Sequence, residues 1–209
     1  MKKLKIFVDA ILAGLFISIG GTVFLSLENK VLGSLFFAVG LFAICTMKFN
    51  LYTGKVCYVF DNKPSYLIDL AIIWIGNFVG TFITGNILKL TRIYPALQEK
   101  AQSIVNIKLM DEPISVFILA VFCDILIYLA VEGYKNNPHE LGKYLSILFG
   151  VTVFILCGFE HCVANMFYIS VGDMWTWAHA IEHIVIVTIG NSLGGVLIPL
   201  IKKAFKNVD

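Results

Sequence analysis

Hydrophobic residues in this chain come in long continuous runs rather than in alternation. Charge-free windows cover 10–27, 31–47, 70–88 and 184–201, with lengths of 18, 17, 19 and 18 residues. A further window, 113–131, is interrupted only by Asp124. Another, 144–159, is followed by Glu160 and His161 and then by 11 more uncharged residues. A helix needs about 20 apolar residues to cross the hydrocarbon of a bilayer, within a range of about 17–25. The pattern therefore predicts six transmembrane helices. Continuous runs also argue against the alternating strands of a membrane barrel. The first run is too long for a secretory leader, and no clear small-x-small cleavage site precedes the second.

Two of the six spans read as broken. After Met47 a polar knot intervenes, Lys48-Phe49-Asn50-Leu51-Tyr52-Thr53-Gly54-Lys55, before apolar residues resume at Val56. After Cys157 a second knot follows, Gly158-Phe159-Glu160-His161-Cys162-Val163-Ala164-Asn165. Irregular backbone at membrane depth survives only where it lines a cavity or is buried in protein. Paired interruptions at matching positions in two halves point to a transport site. The halves also share a motif: Gly76-Asn77-Phe78-Val79-Gly80 in span three and Gly190-Asn191-Ser192-Leu193-Gly194 in span six are both G-N-x-x-G. Small residues at this spacing let helices approach closely. The expectation is an all-α polytopic membrane protein made of a single channel domain, 1–209. It carries an inverted 3+3 repeat, with halves at about 1–95 and 108–209 and breaks in spans two and five.

Composition agrees with the pattern. Of the residues, 58% are hydrophobic and 14% charged, with a mean hydropathy of +0.85. Soluble domains run near 45–50% apolar and about 25% charged, so this chain cannot cover a water-facing surface. A net charge of +2 gives no basic face for nucleic acid. The five cysteines form no C-x-x-C pattern and read as reduced, packed thiols. With the N-terminus inside, ten Lys residues fall on inner segments and five Lys/Arg on outer ones, so both termini are expected in the cytoplasm. Trp175 and Trp177, between spans five and six, fit an interfacial aromatic belt.

The ionisable residues that violate the apolar rule are the candidates for chemistry. An ionisable side chain inside a membrane segment is a functional candidate by default. His161 fits this best, because imidazole exchanges protons near neutrality. Thr53 offers a hydroxyl in the other knot, where a helix-capping role is equally open. Asp124, in the middle of span four, needs a partner such as Lys48, or a proton. Lys108 reads either as an anion attractor at the outer mouth or as a snorkelling interfacial lysine; its residue type alone favours the latter. His179-Ala180-Ile181-Glu182-His183 matches H-x-x-E-H, an inverted zinc-protease signature. An intramembrane zinc metalloprotease would need a third ligand, for which Glu160 is the nearby polar choice. A neutral-solute or water pore is a third reading.

The second knot, with Met166 and Phe167 behind it, resembles the G-F-E-H-x-x-A-N-M-F signature of the formate/nitrite transporter family. Leu51-Tyr52-Thr53 resembles the family's D-L-F-T loop, with Asn50 for Asp and Tyr52 for Phe, and Ile189–Gly195 resembles its last-helix motif. The resemblance covers about Leu4 to Lys203. It implies a homopentamer of aquaporin-like protomers, and the many Lys, Asn and Ile of the composition point to the inner or plasma membrane of a prokaryote. Each protomer would conduct a small monovalent weak-acid anion such as formate, nitrite or hydrosulfide, often with a proton, and would need no cofactor. By motif matching, His161 stands for the family's central histidine, Thr53 for the threonine facing it and Asn165 for the motif asparagine. Phe37, Leu51 and Phe154 fall at the family's hydrophobic constrictions, and Lys108 at its vestibule lysine. Asp124 stands where the family usually has Asn, and Lys48 and Lys55 flank a loop that is otherwise mostly uncharged. Those changes alter the charge around the pore, whereas Glu160 beside His161 matches the signature's own glutamate.

Overall fold

The computed structural model describes residues 1–176 and 178–205. Trp177 and Lys206, which the belt and the charge count invoke, lie outside them. The described residues form ten α-helices and one short 3₁₀ turn, Val59–Asp61. The first half holds α1 (Lys2–Ser26), α2 (Lys30–Phe37), α3 (Val39–Met47), α4 (Tyr52–Val56) and α5 (Tyr66–Leu88). The second holds α6 (Tyr94–Leu109), α7 (Pro113–Asn136), α8 (Glu140–Leu156), α9 (Cys162–Gly172) and α10 (Ala178–Phe205).

Among the described residues, five stretches are long and apolar enough to cross a membrane: α1, α2 with α3, α5, α7 and α10. At 17 residues α8 sits at the lower edge of the spanning range, and α9 has only 11. Several helices extend past their charge-free windows. α1 begins at Lys2 and takes in Lys3, Lys5 and Asp9 because each charge finds a partner. Lys3 pairs with Asp69 of α5, and Lys5 lies 2.6 Å from Asp9 one turn on. α6 was not expected. It buries Leu97, Ala101, Val105 and Leu109, a strict i, i+4 stripe on an otherwise polar helix, and packs on α9.

The interior is a hydrophobic core with polar side chains set into it, and the outer surface carries many large apolar side chains. Ser18, Ser34, Asn77, Thr81, Asp124, Glu160, His161, Asn165, His183 and Asn191 are buried, while Phe36, Phe42, Ile75, Phe82, Ile87, Phe122 and Ile189 are exposed. That distribution suits a hydrocarbon surround. Two close helix pairs build the frame, α1 with α5 and α7 with α10. The G-N-x-x-G motifs are what bring them together. A Cβ on Gly80 would lie 2.2 Å from the Ile11 carbonyl oxygen, and one on Gly194 2.2 Å from that of Val121. Any larger residue would force the backbones apart. Trp175 is half-buried. Its Nε1–H donates to Ser170 Oγ at 2.9 Å, and its ring meets Phe78 edge-on.

Candidate functional site

Both knots are interruptions of helix, and each is built the same way. α3 stops where Lys48 adopts left-handed backbone (φ 61°), and α4 starts after Leu51, in extended conformation. α8 stops before Gly158 (φ +69°), and α9 starts after His161, also extended. A break frees backbone groups that cannot be left unpaired in a membrane interior. One asparagine from each G-N-x-x-G motif pairs them. Asn77 Nδ2 donates to Asn50 O (2.9 Å) and Ala10 O (2.8 Å), and its Oδ1 accepts from Tyr52 N–H (2.8 Å). Asn191 Nδ2 donates to Glu160 O and Ala120 O (both 2.8 Å), and its Oδ1 accepts from Cys162 N–H (2.9 Å). Each amide thus ties a break to the long helix beside it, α1 or α7.

The breaks bring Thr53 and His161 together. His161 Nε2 is 3.0 Å from Thr53 Oγ1. His161 Nδ1 accepts from Ala164 N–H at 3.1 Å, so the ring caps the N-terminus of α9. A backbone N–H can only donate, which leaves the hydrogen of the neutral ring on Nε2, facing Thr53. Phe154 stacks on the imidazole with centroids 5.6 Å apart, and Phe37 meets Phe154 edge-on at 6.1 Å. Phe37, Leu51, Phe154 and His161 are all buried.

This apolar plug separates two cavities. One, of about 300 Å³, is lined by Lys108, Glu160, His161, Asn165 and Phe154. The other, of about 340 Å³, is lined by Leu51, Lys48, Lys55, Tyr58 and Lys135. A larger cleft of about 1000 Å³ beside α5 and α10 touches neither His161 nor Thr53, and its walls are mostly apolar. It offers little chemistry beyond the Tyr52–Ser192 hydroxyl pair.

In the first cavity Lys108 Nζ lies 2.6 Å from Glu160 Oε2, and Asn165 Nδ2 donates to the same oxygen at 2.6 Å. Lys108 is therefore not the snorkelling interfacial lysine its residue type suggests. α6 is the element that delivers it.

Asp124 is fully buried, and neither carboxylate oxygen has a hydrogen-bond partner among the described residues. Lys48 does not reach it. That side chain is exposed at the end of α3, because the left-handed turn carries it to the second cavity. Oδ2 of Asp124 instead faces Gly195, where an added Cβ would lie 2.3 Å away.

The H-x-x-E-H residues do not converge on a metal. His179 is exposed and 3.3 Å from Glu182, whereas His183 is buried with Nε2 3.0 Å from Asn165 Nδ2. No group of three His, Cys, Asp or Glu residues that could hold a metal occurs among the described residues. His183 belongs to the Glu160–Asn165 network. The sequence motif named the residue, but only the fold shows which partners it meets. All five cysteines are free thiols.

Comparison with known proteins gives the same picture. A family model described as formate/nitrite transporter matches residues 1–203. The uncharacterised transporter YrhG of Bacillus subtilis is 33% identical over 182 residues, covering 80% of this chain and 68% of its own. A probable formate transporter of Methanothermobacter thermautotrophicus is 28% identical over 234 residues, covering 92% and 85%. A solved pentameric formate channel with formate bound superposes with a TM-score of 0.83 at 21% identity, covering 100% of this chain and 98% of that one. These relatives are channels and transporters, not enzymes, which removes the metalloprotease reading. With a family model matched along nearly its whole length and a shared channel fold, the chain belongs to the formate/nitrite transporter family.

Proposed function

We propose that five copies of this chain assemble in a cell membrane of a prokaryote, with both termini cytoplasmic. Each copy passes formate, or a weak-acid anion of similar size such as nitrite or hydrosulfide, together with a proton. α8 and α9 together serve as one divided crossing, which makes six crossings in two inverted halves. The carrying observation is the Thr53–His161 hydrogen bond set within the Phe37–Leu51–Phe154 plug between two cavities that each carry lysine.

The chemistry follows from the cost of burial. An unpaired carboxylate moved into apolar surroundings loses its hydration, a penalty of many kcal/mol, whereas the neutral acid loses far less. Lys108 draws the anion into the first cavity, and Glu160 and Asn165 hold the lysine in place there. The anion then meets the Nε2–H of His161. Nδ1 is occupied by the α9 backbone, so protonating the ring there would break the cap. The proton that neutralises the anion therefore arrives by water of the cavity, while Nε2–H and Thr53 orient the substrate. The neutral acid slips past Phe154, Phe37 and Leu51 and ionises again beside Lys48, Lys55 and Lys135.

His161→Ala tests this in proteoliposomes loaded with a pH dye. The expected outcome is loss of formate-driven acidification and of its dependence on outside pH. Unchanged flux and unchanged pH dependence in that variant would sink the role of His161. Swelling in neutral solutes with no effect of pH would favour a neutral pore instead.

A further inference from the structure

One buried ionisable side chain beside the Lys108–Glu160 pair has no part in that mechanism. His183 stands near the start of α10, and its Nε2 lies 3.5 Å from Glu160 Oε2. The same carboxylate oxygen already takes Lys108 Nζ and Asn165 Nδ2, each at 2.6 Å. Asn165 Nδ2 is also 3.0 Å from His183 Nε2. The amide carries two hydrogens, so it serves both neighbours at once only when Nε2 accepts. In that state the ring is neutral, and the Lys108–Glu160 pair sums to zero charge.

Adding a proton to Nε2 changes the arrangement. The nitrogen can no longer accept from Asn165, and Glu160 Oε2 becomes its nearest acceptor. One carboxylate then answers to two cations, and the cluster passes from zero to +1. Lys108 loses part of its counter-charge at the cavity where the anion arrives.

The ring also has a route to solvent. His183 lines a separate recess of about 260 Å³ with Lys108, Asp111, Glu112, His179 and Glu182. The groups that face it are therefore Lys108 from α6, Asp111 and Glu112 from the link to α7, and His179 and Glu182 from its own helix. Glu160 faces it from the break, and α7 contributes only the uncharged Pro113 and Val116. The ring thus stands between a polar recess and the cavity that holds His161.

We propose that His183 is a second proton-binding site, distinct from His161, whose charge sets how tightly Lys108 holds a small monovalent anion in the first cavity. The inference rests on the anion-channel reading. Protonation at the outer site then favours anion capture under the acidic conditions in which a proton is also at hand. By linkage the effect is reciprocal: a bound anion favours the proton on His183.

The experiment measures formate influx into proteoliposomes over a concentration series at outside pH 5.5 and 7.5. Formate is almost wholly anionic at both, as for any carboxylic acid of ordinary strength. For the wild-type chain the apparent KM is expected to fall by about fivefold or more on acidification, the lower end of usual coupling between sites. His183→Asn, which keeps a neutral polar group, is expected to flatten that change to less than about twofold, and His183→Gln to do the same. His183→Arg, always charged, is expected to hold KM low at both pH values. A wild-type KM that does not move with pH overturns the inference, as does a neutral variant that keeps the full wild-type change. Absence of any formate flux through wild-type chain would overturn the channel reading itself.

Discussion

At the scale of single residues, the site rests on two asparagines more than on the histidine they surround. Asn77 and Asn191 each satisfy two backbone groups of a helix break and bond one carbonyl of the long helix beside it. A buried polar group left unpaired costs about 1–3 kcal/mol. Asn77→Ala and Asn191→Ala are each expected to lower the melting temperature of the purified channel by several degrees, given roughly 2–4 °C per kcal/mol for a chain of this size. Similar shifts for the two would show that the breaks are held alike. Differential scanning fluorimetry in detergent reads this directly, and an unshifted Asn77→Ala would contradict the clamp. The sequence made His161 legible because an ionisable residue in an apolar run stands out. It made the asparagines legible only as parts of a small-residue motif. An uncharged amide carries no sign of the six hydrogen bonds the pair makes.

At the scale of elements, glycine spacing decides which helices can touch. Gly80 and Gly194 sit against carbonyl oxygens of Ile11 and Val121, at distances that leave no room for a methyl group. Gly80→Ala and Gly194→Ala would each push a helix off its neighbour and carry the attached break with it. The expected outcome is a chain that assembles poorly, with a clear loss of the proposed pentamer on size-exclusion chromatography. Gly172, where an added Cβ meets nothing closer than 3.5 Å, should tolerate the same change. The long apolar runs announced most of the spanning helices in the sequence. α6 was not announced, because its buried face is only four residues on a polar helix. That omission mattered: α6 delivers Lys108 to Glu160, so the vestibule could not be read until the helix was seen.

At the scale of the whole molecule, two cavities, one with Lys108 and one with Lys48, Lys55 and Lys135, flank one apolar plug, and under the proposed function the plug sets what fits. Phe37 and Phe154 close it with rings 6.1 Å apart. Phe37→Ala removes one wall. It is expected to raise acetate flux relative to formate by about an order of magnitude, the factor that 1.4 kcal/mol of barrier supplies. Proteoliposome flux with both anions checks it, and an unchanged ratio would place the selective constriction elsewhere. Membrane class was plain from the scarcity of charge. The pairing of Glu160 with Lys108, Asn165 and His183 was not, because those residues lie 52, 5 and 23 positions away and meet only through the fold.

The Asn77 clamp also bears on the order in which the protein is made. The backbone of Asn50 and Tyr52 is translated well before Asn77, which lies 27 and 25 residues further along. Until α5 leaves the ribosome and reaches α1, the first break has no partner for those groups and is poorly suited to lipid. The nascent chain must therefore keep this segment in water or in the insertion machinery until the third long helix arrives. The second break waits in the same way for Asn191 in the last helix. Synthesis then delivers two hairpin-like assemblies in turn, each locked by its final helix. Only after the second locks can His161 find Thr53.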